Sequence, residues 1–407
     1  MADESALSSG IGRRIKEFRE RRGVTQTALA AHVGRGSSWL SQIEAGKREI
    51  DSYRILVDIA NYLHVSLQDL TGHPLGLAPN GRCEHDTVPR IREVLHQYPA
   101  WIPEPSAQPD LRALRRRVTD LWERWQASKR RYSEIGPQLP GALTEAQQAA
   151  RYLSGDDRRR ALGMLAELYQ LARAFLKRVG ELELALMVAD RAVTIAYEAD
   201  HLPLIAASVW NMGMVYSSQG KPDEARHLVR EAIRALEPTL PDGSSDHLAM
   251  WGALHLLGGI LAARTGDNGA AWDALREADR AASRTGERNT YWTVFGPANV
   301  GIHTVGVALE LGDSRTLQDQ IRLVDGSLAA SVERRFTHQI QVARAHAQRG
   351  EPDATLFALL AAEEESPEDT AFSIEAQQMT RVLLRHERRV TQRAKLRGLA
   401  QRIGVLN

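Results

Sequence analysis

Five glycines, Gly180, Gly220, Gly266, Gly312 and Gly350, recur at spacings of 40, 46, 46 and 38 residues. Segments of helical apolar period lie on both sides of each. Aligning on the glycines exposes a shared template. Five residues after them stand Ala185, Ala225, Ala271, Leu317 and Thr355. Twelve after stand Ala192, Ala232, Ala278, Val324 and Ala362, and seven before stand Arg173, Gly213, Gly259, Val305 and Ala343. A glycine ends a helix by taking the left-handed conformation. Small residues at fixed offsets from it let two antiparallel helices approach closely. The pattern is that of repeated helix hairpins, which bury a continuous core only by stacking. No strand-like period competes with it, so the chain is expected to be all-α.

The best unit, Gly213, Tyr216, Gly220, Ala225, Ala232 and Pro238, resembles the tetratricopeptide repeat, and the unit around Gly259 and Gly266 is next. The first and fourth units match less well, so the resemblance rests on repetition. Longer loops near Pro241–Asp246 and Gly286–Thr290 account for the stretched spacing. The resemblance implies an α-solenoid of tetratricopeptide-like hairpins; a non-repeating helical bundle is the alternative.

Residues 11–72 have a different organisation, five short helices with tight turns. Thr25 is a natural N-cap for a helix bearing Leu29, Ala30 and Val33. Gly34 stops it, and a helix over about Ser37–Glu44 follows with Leu40 and Ile43 inward. A fourth helix runs about Tyr53–Leu63, and the capping-box pattern Ser66–Asp69 opens a fifth. Thr25-Gln26-x-x-Leu29-Ala30, Gly34 and Leu40-Ser41-x-Ile43-Glu44-x-Gly46 resemble the Cro-type (XRE) helix-turn-helix regulators. Gly36 and Trp39 depart from that family's usual residues.

Charge agrees with a DNA reader. The whole chain carries only +1, but residues 11–48 hold nine Lys/Arg against three acids, a net of +6, which leaves −5 for the other 369 residues. A locally basic module is the footprint needed to meet phosphates. The resemblance implies that the Ser37–Glu44 helix enters the major groove, with Ser37, Ser38, Trp39 and Gln42 facing base edges. Gln42 can pair bidentately with adenine. Gln26, Arg35, Lys47 and Arg48 would then hold phosphates. A packing role is the alternative for Trp39, and a solvated surface charge for arginines such as Arg19.

Residues 1–10 are expected to be disordered, and 73–109 to be a linker with one short helix near Val88–Gln97. Asp110–Ile135 reads as one long arginine-rich helix, most simply a solvated face. The repeat domain is expected over 110–407. Cys83 and His85 lack the second pair a zinc site needs. One cysteine and the absence of an apolar run long enough for a membrane span fit a cytoplasmic protein.

A hairpin solenoid lines a groove with the first helix of each unit. That stripe offers Gln170, Trp210, Asn211, Met214, Asn299, His303, Gln341 and Arg344 as ligand contacts, with Trp292 and Phe295 walling one end. Amides beside apolar surface suit a peptide or small molecule. Core filling is the commoner role for Trp210 and Trp292, and inter-helix hydrogen bonding is the alternative for Asn211, Asn299 and His303. No phosphate loop, His-Glu-x-x-His pair or nucleophile elbow is present, so no enzyme activity, cofactor or metal is expected. The two-part architecture resembles the peptide-sensing transcriptional regulators of Gram-positive bacteria. It implies a homodimer on a double-stranded DNA operator, modulated by a peptide or small molecule. A DNA-tethered scaffold whose groove binds a partner protein is the alternative.

Overall fold

The computed structural model describes residues 2–21, 24–48, 50, 53–63, 70, 85–98, 101–324 and 329–406. They fall into two compact units, Met1–Arg82 and Cys83–Asn407. Both are helical, and no strand occurs among the described residues.

The first unit contains α1 (Ala2–Arg21), α2 (Gln26–His32), α3 (Ser37–Glu44) and α4 (Tyr53–Tyr62). The N-terminal stretch expected to be disordered is helical from Ala2. Ala2, Glu4, Ala6 and Leu7 are strong helix formers, and they extend the helix upstream through Ser8-Ser9-Gly10. The Thr25 hydroxyl caps α2 by accepting from the Ala28 amide at 3.1 Å. Ile15, Leu29, Leu40, Ile59 and Leu63 are fully buried together, each helix contributing its apolar stripe. The fifth helix expected at Ser66 lies outside the described residues, as does Cys83.

The second unit opens with α5 (Val88–His96), α6 (Leu111–Ala127), α7 (Arg131–Ile135) and α8 (Leu139–Tyr152). Val88, Ile91 and Leu95 of α5 are fully buried in the main core, so this helix belongs to the repeat unit and not to a linker. The single helix expected over Asp110–Ile135 is broken. Ser128 is extended (φ −83°, ψ 134°), and its hydroxyl accepts from the Arg130 amide at 3.0 Å. A serine that offers the backbone a local partner competes with helix continuation.

Five hairpins follow: α9 (Gly155–Arg178) with α10 (Leu182–Glu198), α11 (Leu202–Ser218) with α12 (Pro222–Leu236), α13 (Ser245–Arg264) with α14 (Asn268–Thr285), α15 (Pro297–Leu311) with α16 (Ser314–Leu323), and α17 (Val332–Gln348) with α18 (Pro352–Glu365). The five template glycines sit at these turns with φ between 70° and 92°. Ala185, Ala225 and Ala271 are fully buried where the paired helices meet. A Cβ on Gly213 would lie 3.0 Å from Leu257. The array ends in α19 (Pro367–Phe372), α20 (Ile374–Arg385) and α21 (Arg393–Arg402). Its last helices return to its first: Lys129 Nζ donates to the Glu364 carbonyl at 2.7 Å, and the Tyr132 amide to Glu368 at 2.8 Å. No helix among the described residues is long and apolar enough to cross a membrane.

Candidate functional site

In the first unit, α3 is held by its own last residue. Glu44 is buried, and both its oxygens accept from Arg19 of α1, at 2.6 and 2.9 Å. Gln26, at the start of α2, donates its amide to the same carboxylate at 2.7 Å. Arg19 is therefore a positioning residue, 8% exposed, and not a solvated charge. Backbone approach is close here as well: a Cβ on Gly12 would lie 1.9 Å from the Ile43 carbonyl. Three helices are thus registered on one carboxylate.

This clamp leaves one face of α3 outward. Ser37, Ser38 and Gln42 are exposed on it, and Arg35, Lys47 and Arg48 are exposed at its two ends. The amides of Lys47 and Arg48 both donate to the Gln42 carbonyl, at 2.9 and 3.2 Å, folding the cations back beside the helix end. Ser41 shares the exposed face one turn after Ser37 and was missed in the sequence. Trp39 does not stand there. It is 8% exposed in the core of the unit, with the Arg35 guanidinium 6.0 Å from its ring centre. Burial of a large indole outweighs its use at a base edge.

In the second unit, the inner face of the hairpins carries a small cavity. Trp210, Asn211, Met214 and Trp292 meet at it. They are joined by residues that the glycine alignment did not mark: Trp122, Trp125 and Gln126 of α6, Arg173 of α9, and Glu333 and Arg334 of α17. The cavity is only about 30 Å³, room for about one water. Two parts of the chain fill it. The rings of Trp122 and Trp292 stack, 5.4 Å apart and 4° from parallel. Trp292 reaches this place on the loop between α14 and α15, where Tyr291, Trp292 and Val294 have φ of 44°, 63° and 51°. Such left-handed residues cost roughly 1–2 kcal/mol each. The loop is held by contacts: Trp292 Nε1 donates to Glu167 at 2.8 Å, and Gln126 donates to the Trp292 carbonyl at 3.0 Å. Asn289 donates to Gln126 at 2.6 Å, and Arg334 donates to the Thr293 carbonyl at 3.2 Å.

Charges around the cavity are unequal. Burial opposes the charge on Glu333, but Arg178, Arg131 and Arg334 outweigh that and hold its carboxyl well below the usual range. Burial, with Arg178 and Arg173 adding repulsion, pushes Lys177 down to about 7. Burial likewise lowers Arg173, to about 10.

Six expected ligand contacts lie away from this cavity. Phe295 is fully buried in the neighbouring core, its ring against Gly252. Gln170 is fully buried and donates to Ser208 at 3.0 Å. His303 bonds its Nδ1 to the Asn299 carbonyl at 2.9 Å, and burial first, then Arg334, lowers its pKa to about 3. Asn299 is itself 3% exposed. The Gln341 amide packs beside Gly306, and Arg344 pairs with Glu310 at 3.4 Å. A wider depression of about 480 Å³, lined by Asp246, Glu287 and Arg288, is open and has no aromatic wall.

A helix presented outward by a carboxylate clamp and flanked by exposed cations has the geometry of a helix-turn-helix DNA reader. The helix-turn-helix domain model matches residues 11–72, and the tetratricopeptide repeat model matches 165–237. An uncharacterized HTH-type transcriptional regulator, YazB of Bacillus subtilis (strain 168), is 41% identical over 59 residues, 14% of this chain and 84% of that protein. The chain belongs to the Cro-type (XRE) helix-turn-helix transcriptional regulators, and it is a DNA-binding protein with tetratricopeptide repeats. Among solved structures, PlcR of Bacillus thuringiensis, in complex with the peptide PapR7 and DNA, is 15% identical over 68% of this chain and 95% of that one, with a TM-score of 0.28. The apo competence regulator ComR of Streptococcus vestibularis is 11% identical over 93% and 98%, with a TM-score of 0.33.

Proposed function

We propose that this regulator acts in the cytoplasm as a homodimer whose grip on operator DNA is set by a peptide or small molecule on the inner face of the second unit. The observation that carries the reading is the cavity lined by Trp122, Trp125, Trp210 and Trp292 together with Arg173. Aromatic walls around a few polar groups are the usual make-up of a ligand site. In the reader, Ser37, Ser38, Ser41 and Gln42 face base edges, while Arg35, Lys47 and Arg48 hold phosphates. Two copies of α3 would read half-sites about one helical turn, ~34 Å, apart. Ligand entry requires Trp292 to withdraw, and a dimer geometry that differs between the two loop positions turns this into altered DNA affinity. Such coupling typically amounts to about 1–3 kcal/mol.

The test is an operator titration with the full-length protein, before and after addition of whatever small molecule or peptide copurifies with it. A change of about 5–150-fold in affinity supports the coupling. Unchanged affinity with demonstrable binding overturns it.

A further inference from the structure

The inner-face cavity holds more cations than the protein pairs. Arg173 is 6% exposed; one of its terminal nitrogens donates to the Asn211 side-chain oxygen, and its Nε has no partner among the described residues. Arg334 spends one nitrogen on the Thr293 carbonyl. Neither has a carboxylate at ion-pair distance among the described residues. The nearby acids are already engaged. Glu333 accepts from Arg178 at 2.9 Å, and Glu167 accepts both arms of Arg115, at 2.6 and 3.0 Å. Both unpaired guanidiniums stand against one indole, 5.9 and 6.0 Å from the ring centre of Trp210.

Burying a cation without a partner is costly, and two of them beside one ring repel each other. The guanidinium fork matches a carboxylate bidentately. Resting on the ligand-bound reading of this face, we propose that the cavity takes a ligand bearing a carboxylate next to an aromatic or apolar body. The carboxylate seats between Arg173 and Arg334, and the apolar body lies against Trp210 in the space Trp292 vacates. Burial first, then Arg178 and Arg173, lowers Lys177, and Arg178, Arg131 and Arg334 outweigh burial to hold Glu333 low. A carboxylate of this kind comes from a free aromatic acid or from the C-terminus of a peptide.

The experiment is calorimetric titration of the full-length protein with matched pairs: phenylacetate against phenylacetamide, and N-acetyl-Leu-Phe with a free against an amidated C-terminus. Inorganic phosphate is the third arm. In at least one pair the acid is expected to bind about 10–100-fold tighter than its amide, as a charge-assisted bond to a buried group allows. The pair that shows the effect tells free acid from peptide. R173Q and R334Q should erase the preference, while R173K retains part of it. Without ligand, R173Q should melt no lower than the parent, since it removes an uncompensated buried charge. Equal binding of acid and amide, no binding in either pair at millimolar concentration, or tighter binding of phosphate would overturn the proposal. So would an acid preference that survives both glutamine variants. Acid binding that leaves operator affinity unchanged would remove the coupling and keep the anion site. Operator affinity that responds to a neutral ligand alone would do the reverse.

Discussion

Arg131 and Asp369 meet at 2.5 Å with neither side chain exposed, across 238 residues of chain. The arginine lies 4.4 Å over the Trp125 ring, and the carboxylate also accepts from the Tyr132 hydroxyl at 2.8 Å and from Ser366 at 2.6 Å. This pair joins the start of the repeat array to its end. Breaking a buried pair leaves one charge stranded, so D369A should lose about 3–5 kcal/mol of stability. R131M/D369L should regain much of that loss, because the pair's own net contribution is small. Urea unfolding of both variants decides; equal losses would mean that the attraction itself, not the stranded charge, dominates.

Phe295 acts as a core peg beside Gly252, away from the cavity. A Cβ at Gly252 would come within 2.1 Å of its ring. G252A should therefore cost at least ~1–3 kcal/mol, the usual range for overpacking. It should leave ligand affinity unchanged among the molecules that remain folded. A combined thermal melt and titration separates the two effects.

The exposed face of α3 predicts two different losses. Q42A should cost on the order of 1–3 kcal/mol and relax preference at one base position. R48A should weaken all sequences alike and lower the salt slope by about one. Binding assays over a salt series, with a randomised operator, distinguish them. Identical behaviour of the two variants would mean that α3 docks in another orientation.

Lys177 gives a pH signature. Its pKa falls from the ordinary 10.5 to about 7 on folding. Between those values the unfolded chain binds more protons than the native one, so stability rises with pH across that window. Below about 7 both states are protonated and the penalty for the partly buried cation is present in full. K177M should be more stable than the parent near neutrality and should flatten the rise from pH 7 to 10. Chemical denaturation at several pH values measures it; a parent curve already flat there would contradict the assignment.

The parts of the fold legible in the sequence are those set by local rules. Thr25 as a cap, Gly34 after α2 and the five turn glycines each act within a few residues, and each appears where its spacing places it. Arg131 was not legible. It looked like one more solvated arginine because its partner lies 238 residues away. The break at Ser128 was hidden for a related reason: nothing apolar interrupts the period there. Trp39 was misplaced because an indole on α3 suits a base edge as well as a core, and only its burial decides. One signal for the cavity was present. At the template position where other units carry Gly213, Gly259, Val305 and Ala343, the first carries Arg173. A long cation where the other units carry Gly, Val or Ala sets the first unit apart, and it is this side chain that lines the cavity.

The three left-handed residues of the loop bear on how a sensor of the proposed kind would be tuned. Tyr291, Trp292 and Val294 together raise the closed loop by several kcal/mol at roughly 1–2 kcal/mol each, more than the ~1–3 kcal/mol typical of coupling between sites. Under the proposed function, the set point of the response is therefore adjustable from the backbone of this loop. Glycine at 291 or 294 would relax the closed form and raise the dose of signal needed. A β-branched residue at 291 would lower it. The loop that walls the cavity would then also carry the backbone strain that sets its sensitivity.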